Sequence, residues 1–170
     1  MSEAVDFEAS WAAAEPAPSG SGTVRVICVR TSDGVHETPD RVEITFQDGV
    51  AGYRWSLGER PNPEAQVTLM NIRVTELIAS GRPLDLPGDN FQVDLDLAED
   101  ALPAGTRLRI GSALLEVSAE PHTGCKKFSE RFGLEALRWV NDHRDLRLRG
   151  VNCRVLEPGS VEVGDAIAVV

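Results

Sequence analysis

Residues 107–117 read RLRIGSALLEV, two short runs rich in leucine, isoleucine and valine on either side of a glycine and a serine. Apolar runs separated by two residues that include glycine are typical of a β-hairpin with a two-residue turn. The sequence therefore predicts antiparallel strands at 107–110 and 113–117, joined at Gly111 and Ser112.

Other segments of the chain have the same short alternating or apolar pattern. Strands are predicted at residues 24–29, 42–46, 66–70, 91–97, 151–156, 160–163 and 166–170. Helices are predicted at residues 71–80, 125–132 and 134–141. Many short strands with few helices predict a mainly β fold, namely a closed or nearly closed antiparallel barrel with a few short helices.

Length and composition bound the domain organisation. With 170 residues and 42% hydrophobic content, the chain can fill one core and is short for two. Residues 1–22 end in a segment rich in alanine, proline, glycine and serine, which is too poor in branched apolar side chains to pack. The sequence predicts a flexible N-terminal tail over 1–22, with at most a frayed helix around Phe7 and Trp11, and one barrel domain over 23–170.

The charge distribution restricts the class of ligand. A formal net charge of −10 and a pI near 4.7 argue against nucleic-acid or anionic-membrane binding, because both depend on a summed positive potential. Eight of the 17 lysines and arginines nevertheless lie between residues 126 and 154. This local basic surface fits a small anionic ligand; the alternative is that these arginines pair with acidic residues on exposed helix faces.

The three cysteines have no CxxC spacing, and no apolar signal segment follows the first methionine. This pattern predicts reduced thiols and a cytoplasmic location. No apolar run is long enough for a transmembrane helix, so no membrane association is expected. Because His36, His122 and His143 are scattered among the cysteines, a closed zinc site is not expected.

The only two lysines of the chain, Lys126 and Lys127, directly follow Cys125 in the segment PHTGCKKF at residues 121–128. A free thiol has a pKa of about 8.5, and nearby cations together with the imidazole of His122 would raise its reactive thiolate fraction. Lysines in the first turn of a helix face the positive end of its dipole, which indicates a bound anion. The alternative is a half-buried structural cysteine beside two solvated lysines.

Seven segments, in a fixed order from about Val24 to Val170, resemble the MOSC domain, a family named for the C-terminal domain of molybdenum cofactor sulfurases. The segments are GVAGYRW at 49–55, QVTLMN at 66–71, GDNF at 88–91, LPAGTRLRIG at 102–111, the Cys125 loop, RGVNCRV at 149–155 and GSVEVGD at 159–165. The resemblance implies a β-rich barrel of MOSC type, in agreement with the strand pattern.

The resemblance also implies that Cys125 is the family's signature cysteine, which is associated with carrying sulfur as a persulfide or with ligating molybdenum in a bound pterin cofactor. Cys125 would then be the catalytic residue and the metal ligand. The residues that would bind the molybdenum cofactor around it are His122, Thr123, Gly124, Lys126, Lys127, Asn90, Arg149 and Asn152.

Two departures from the family pattern bear on this site. The family often has an arginine and a proline before the signature cysteine, whereas residues 122–125 read HTGC. His122 or one of the two lysines must therefore replace that arginine if an anion is held. The Asp-Arg-His that commonly follows the family's Gly-x-x-Gly segment is replaced by YRW at 53–55.

Three functions remain open from the sequence. In the first, the domain binds the molybdenum cofactor through Cys125 and forms the core of an oxidoreductase for N-hydroxylated compounds, which needs an electron-delivery partner. In the second, the domain is a non-catalytic sulfur carrier that accepts a persulfide on Cys125 from a sulfur donor protein and delivers it to a partner. In the third, the domain has kept the fold and lost the chemistry.

Overall fold

The computed structural model describes residues 4–170; residues 1–3 of the expected tail lie outside the described part. Over this range the chain forms four α-helices and twelve β-strands. The helices are α1 (Phe7–Ala13), α2 (Ile72–Ala79), α3 (Lys126–Phe132) and α4 (Leu134–Asp142). The strands are β1 (Ser21–Ile27), β2 (Val29–Ser32), β3 (Val35–Glu37), β4 (Arg41–Thr45), β5 (Gly49–Val50), β6 (Val67–Asn71), β7 (Phe91–Asp94), β8 (Arg107–Ile110), β9 (Ala113–Val117), β10 (Val151–Glu157), β11 (Gly159–Glu162) and β12 (Ala166–Val169).

Seven strands of the described chain close into a barrel in the order β1, β12, β8, β9, β10, β6, β7, with β7 pairing back onto β1. The pairing of β6 with β7 is parallel, and the other pairings in the barrel are antiparallel. The parallel pair arises because α2 carries the chain from the end of β6 back to the start of β7. The expected mainly β barrel with a few short helices is therefore confirmed.

The hairpin expected at residues 107–117 is present. β8 pairs with β9 so that Ile110 lies opposite Ala113, and Gly111 in the turn has a φ of 54°. A Cβ at Gly111 would lie 2.3 Å from the carbonyl oxygen of Ser160. Glycine is required here because β11 approaches the turn closely.

The barrel supports the helices through a strand that is buried on both faces. On β6, Leu69 belongs to the core inside the barrel, whereas its neighbour Met70 belongs to a second core between the barrel and the helices. Phe128 of α3 and Trp139 of α4 are buried in this second core. The position of α3, and of the loop before it, is thus set by apolar contacts with the outer face of β6.

The N-terminal segment contains a helix where the sequence predicts one, around Phe7 and Trp11, but this helix packs against α4. Residues Phe7–Ala13 form helix α1, the ring of Phe7 stacks on Trp139 at a centroid distance of 5.1 Å, and Trp11 meets Trp139 edge-on at 6.0 Å. Phe7 and Trp11 are four residues apart, so they lie on one face of the helix. The physical reason for the difference is that two aromatic side chains on one short helix can cover a third, a contact that local composition does not reveal.

Among the helices described over residues 4–170, none has both the length and the apolar character needed to cross a bilayer. The longest is α4 with nine residues, whereas a spanning helix needs about 20 apolar residues.

Candidate functional site

A cavity of about 540 Å³ opens between the β2–β3 hairpin, the 3₁₀ turn Arg54–Leu57 and the start of α3. Cys125 lines this cavity and is exposed. Counted over the described residues, the lining contains five cationic side chains and one acidic one, namely Arg30, Arg54, Lys127, Arg131 and Arg149 against Asp33. The cavity, called the cationic cavity below, therefore combines a thiol with concentrated positive charge.

Three residues of the cationic cavity carry a buried nitrogen that has no hydrogen-bond partner within residues 4–170. These atoms are Arg30 Nε, His36 Nε2 and Arg149 Nε. Most buried polar groups in native proteins are paired, and an unpaired one costs about 1–3 kcal/mol. An arginine Nε–H is always a donor. The Nε–H groups of Arg30 and Arg149 therefore lack an acceptor among residues 4–170 and could donate to a bound ligand.

Arg149, which lies just before β10, is held in place from two sides. Its Nη1 donates a 2.6 Å hydrogen bond to Oδ2 of Asp89, and its guanidinium carbon lies 5.1 Å from the centre of the Phe128 ring. Gly150 follows it with a φ of 114°, and a Cβ there would lie 2.2 Å from the carbonyl oxygen of Leu69. The close approach of β10 to β6 at this glycine helps to place the arginine beneath α3.

The carboxylate of Asp89 is fully buried and joins Arg149 to His122, whose Nε2 lies 2.7 Å from Oδ1. Burial alone would raise the pKa of Asp89, but Arg149 and His122 outweigh it, so the pKa is held well below its usual range. Burial and the nearby Arg149 lower the pKa of His122, although Asp89 opposes them. Asp89 therefore carries the negative charge that balances Arg149.

Cys125 is the residue before the first turn of α3 and has an extended backbone, with φ −123° and ψ −175°. Its partial burial would raise the pKa of the thiol, but the backbone N–H groups of Phe128 and Lys127, together with Arg149 and Arg131, lower it overall. The thiol does not cap α3 with a side-chain hydrogen bond, but the backbone N–H groups of its first turn lie close enough to favour the thiolate. Among the three cysteines, Cys125 has the environment that favours a thiolate.

The family of the chain follows from a comparison with known domains. The family model of the MOSC domain matches residues 62–168. The chain belongs to the MOSC domain family. No curated protein matches the chain in sequence.

Solved structures agree with the MOSC fold. The YuaD protein from Bacillus subtilis is 20% identical, with a TM-score of 0.61 over 88% of this chain and 95% of that one. YiiM from Escherichia coli is 19% identical, with a TM-score of 0.61 over 87% of this chain and 69% of that one. YiiM from Geobacillus stearothermophilus is 22% identical, with a TM-score of 0.61 over 88% and 75%. Identities this low support similarity of fold alone.

Of the residues that the MOSC resemblance implicates, Cys125, Lys127 and Arg149 are brought together in the cationic cavity. Lys127 Nζ also lies 2.7 Å from Oδ1 of Asp33. The side chain of Lys126 is 90% exposed, and within residues 4–170 its ion-pair partner is Glu130, at 3.9 Å. Lys126 does not line the cavity, because neighbouring residues of a helix point about 100° apart around its axis.

His122, Thr123 and Asn152 line a different cavity, of about 220 Å³, which shares Arg149 with the first. The side-chain amide of Asn152 donates to the carbonyl oxygens of Glu120 and Pro121, at 3.2 and 3.4 Å. In this MOSC chain Asn152 therefore shapes the loop that leads to Cys125, and it lies outside the lining of the cationic cavity.

Gly124 has a packing role next to Cys125. Its backbone N–H donates a 2.8 Å hydrogen bond to Oδ1 of Asn141, and Asn141 Nδ2 donates back to its carbonyl at 3.3 Å. A Cβ at Gly124 would lie 2.6 Å from Cδ1 of Leu137. Glycine thus lets the loop pass close to α4, which fixes the path of the chain into Cys125.

The expectation that Asn90 contacts the cofactor is corrected by its surroundings. Asn90 has no exposed surface. Its Oδ1 accepts hydrogen bonds from the backbone N–H and the hydroxyl of Thr68, at 3.0 and 3.3 Å, and its Nδ2 donates to the carbonyl of Cys28 at 3.4 Å. Because Asn90 is fully buried and bonded to both segments, it ties β6 to the chain between β1 and β2 instead of facing a ligand.

Sequence reasoning missed several residues of the site. Asp89 precedes Asn90 in the GDNF segment, and an acid within a segment that resembles the MOSC family was the available signal. Arg30, His36 and Tyr53 gave no signal, because they meet only in the fold: Arg30 Nη2 donates to the Tyr53 hydroxyl, and the guanidinium carbon lies 5.0 Å from the centre of the Tyr53 ring.

Proposed function

We propose that this MOSC domain binds the phosphorylated pterin of a molybdenum cofactor in the cationic cavity, with the Cys125 thiolate as the protein ligand of molybdenum. The observation that carries the proposal is that Cys125 lines the same cavity as Arg30 and Arg149, each of which has a buried Nε–H without a hydrogen-bond partner in the described residues. This arrangement provides a soft sulfur ligand and donors for an anion in one place.

The residues present fit such a cofactor in size and in charge. A volume of about 540 Å³ lies within the range of about 300–1,000 Å³ that is usual for small-molecule sites. Guanidinium groups suit phosphate because their planar N–H donors match its oxygens. Arg149 is the best placed of these groups, since Asp89 and Phe128 hold it rigidly and its Nε–H stays available within the described chain.

When bound, the cofactor would supply two-electron redox chemistry at molybdenum. The residues of this chain would bind and orient it. Arg149 and Lys127 would hold the anionic group, Asp89 would keep Arg149 in position, and Cys125 would hold the metal at an exposed point that a substrate can reach. Reduction of N-hydroxylated compounds is the reaction we propose, with electrons delivered by a partner protein.

The exposure of Cys125 favours a second candidate, a sulfur carrier without turnover. The Cys125 thiolate would attack the terminal sulfur of a donor protein's persulfide. A new sulfur–sulfur bond forms on Cys125, the donor's sulfur–sulfur bond breaks, and the donor leaves as a thiolate, so no external oxidant is needed. Arg149 and Arg131 would then stabilise the anionic persulfide, as they favour the thiolate.

The test is the molybdenum and pterin content of protein purified from a host that makes molybdenum cofactor. Wild-type protein should retain both, and Cys125→Ser should lose molybdenum. The adjacent lysines provide a matched pair: Lys127→Gln should weaken pterin retention about tenfold, because a charge-assisted hydrogen bond contributes about 1.5–3 kcal/mol, whereas Lys126→Gln should have no effect.

Wild-type protein without pterin and without molybdenum would contradict the cofactor proposal. If the same protein carries one additional sulfur on Cys125 that a thiol reductant removes, the result supports the carrier. Equal pterin loss in the two lysine variants would contradict the assignment of the cationic cavity.

A further inference from the structure

Three side chains with metal-binding chemistry meet next to the cationic cavity. They are Cys28, between β1 and β2, His36 on β3, and Asp85 in the segment between α2 and β7. One ligand atom from each lies within 4.8 Å of the other two. None of the three belongs to the Cys125 loop, and no function described above uses them together.

The fold holds these residues at fixed positions. The β2–β3 hairpin places His36 opposite Arg30, and the backbone N–H of Cys28 donates a 2.8 Å hydrogen bond to the carbonyl of Asn90. His36 Nδ1 lies 3.4 Å from Oδ2 of Asp85, and the Cys28 thiol lies 3.9 Å from the Asp85 carbonyl oxygen. The three side chains therefore come from separate elements that are joined by ordinary backbone contacts.

Within residues 4–170, Nε2 of His36 is buried and has no hydrogen-bond partner. The His36 side chain is 11% exposed, so its polar edge is largely withdrawn from water. The Nδ1 side of the ring faces the Asp85 carboxylate, and neutral imidazole is a common ligand of zinc through either nitrogen. His36 also lines the cationic cavity, which gives an ion a route to the site.

We propose that Cys28, His36 and Asp85 bind a Zn²⁺ ion at a site separate from Cys125. A thiolate, an imidazole and a carboxylate are the three ligand types that zinc takes in proteins, and three protein ligands leave a fourth position for water. Ligand atoms around tetrahedral zinc lie about 3.3–3.8 Å apart. The three ligand atoms here lie within 4.8 Å of one another, so a side-chain movement of about 1 Å would bring them to the distances that zinc requires.

The charges of the site balance once the ion is bound. A Cys28 thiolate and an Asp85 carboxylate together neutralise Zn²⁺, and the thiol proton is released to solvent. In the metal-free protein, burial and the nearby Asp85 and Asp89 raise the pKa of Cys28 to about 12, against the opposing effect of Arg30 and Arg131. The thiol is therefore protonated without metal, and the metal-free chain does not bury an uncompensated thiolate.

Co²⁺ replaces Zn²⁺ as a spectroscopic probe. The full chain carrying Cys125→Ser, which removes the exposed thiol, is freed of metal with a chelator and titrated with Co²⁺. We expect one equivalent to bind, with a thiolate-to-cobalt charge-transfer band in the near ultraviolet that one equivalent of Zn²⁺ abolishes. The same ions should raise the melting temperature, because they bind only the folded protein.

Variants in the same background identify the ligands. Cys28→Ser should remove the charge-transfer band, whereas Cys153→Ser should retain it, because Cys153 is equally buried but is not part of the cluster. If Cys28→Ser fails to fold, the more exposed ligands decide the question: His36→Gln and Asp85→Asn should each weaken Co²⁺ binding at least tenfold.

Absence of a charge-transfer band in folded Cys125→Ser protein would overturn the proposal. So would a band of unchanged intensity and affinity in both His36→Gln and Asp85→Asn. Because these measurements are made without the Cys125 thiol, their outcome is independent of the cofactor proposal above.

Discussion

Asp89 accepts a 2.6 Å hydrogen bond from Nη1 of Arg149 while its carboxylate is fully buried. The same carboxylate contacts His122 at 2.7 Å. Arg149 lines both cavities and His122 lines the smaller one. One buried negative charge therefore positions side chains on both sides of the site, and its removal would disturb the two cavities together.

We predict that Asp89→Asn lowers the free energy of unfolding by about 3–5 kcal/mol, because breaking a buried ion pair leaves an uncompensated charge, here Arg149. Urea denaturation at neutral pH measures this loss. Asp33→Asn is the control, since the Asp33 side chain is 73% exposed and pairs with Lys127 at the surface, and it should leave stability unchanged. Equal stability of wild type and Asp89→Asn would show that the pair does not support the fold.

The pH dependence of this effect follows from the lowered pKa of Asp89. A depressed carboxyl pKa stabilises the folded state above the unfolded value of about 3.9, and the stabilisation is lost as pH falls through the lower folded value. The stability gap between wild type and Asp89→Asn should thus be about 3–5 kcal/mol at neutral pH and should shrink below about pH 4. A gap that widens below about pH 4 would contradict this assignment.

Cys125 should be the first thiol to react with an alkylating reagent in the folded protein. Cys28 and Cys153 have no exposed surface, and burial raises the pKa of each to about 12, whereas the pKa of Cys125 is lowered. Mass spectrometry of peptides after short alkylation at several pH values measures the order. If Cys28 or Cys153 reacts before Cys125, the reactive site lies elsewhere. Denatured protein is the control, because all three thiols should then react at similar rates.

Loss of helix α1 should destabilise the protein, contrary to the expectation from composition. Trp11→Ala should lower the free energy of unfolding by about 1–3 kcal/mol, less than the 3–5 kcal/mol usual for a fully buried aromatic residue, because Trp11 is only partly buried against Trp139. Ala9→Ser, on the exposed face of α1, is the control. A truncation of residues 1–13 with unchanged melting temperature would show that the tail is dispensable.

Much of the fold could be predicted because it depends on contacts that are close in sequence. The β8–β9 hairpin needs only two apolar runs and the turn residues Gly111 and Ser112. Asn71 caps α2 as its position before an apolar-periodic run indicates, with its side chain accepting from the N–H of Arg73 at 3.0 Å. The parallel pairing of β6 with β7 was missed, because it depends on which strands become neighbours when the barrel closes.

The candidate site was only partly predictable for a similar reason. Clustering in sequence singled out Cys125 and its two lysines, but adjacent helical residues point in different directions, so Lys127 lines the cavity and Lys126 faces solvent. In the GDNF segment the sequence drew attention to Asn90, whereas the buried charge that orders the site belongs to Asp89. Which of two polar neighbours is paired depends on partners distant in the chain.

The sequence by itself determined that the chain is β-rich and has a cysteine beside concentrated positive charge, because hydrophobic periodicity, turn residues and charge spacing are local properties. The resemblance of its seven segments to the MOSC domain is likewise contained in the sequence. Only the tertiary structure decided which groups share the cavity with Cys125. Arg30 and His36 lie on the β2–β3 hairpin, outside the barrel, and Arg149 lies just before β10, so these residues line one cavity only in the folded chain. The free-energy cost of leaving their nitrogens without a partner arises from burial, which exists only once the chain has folded.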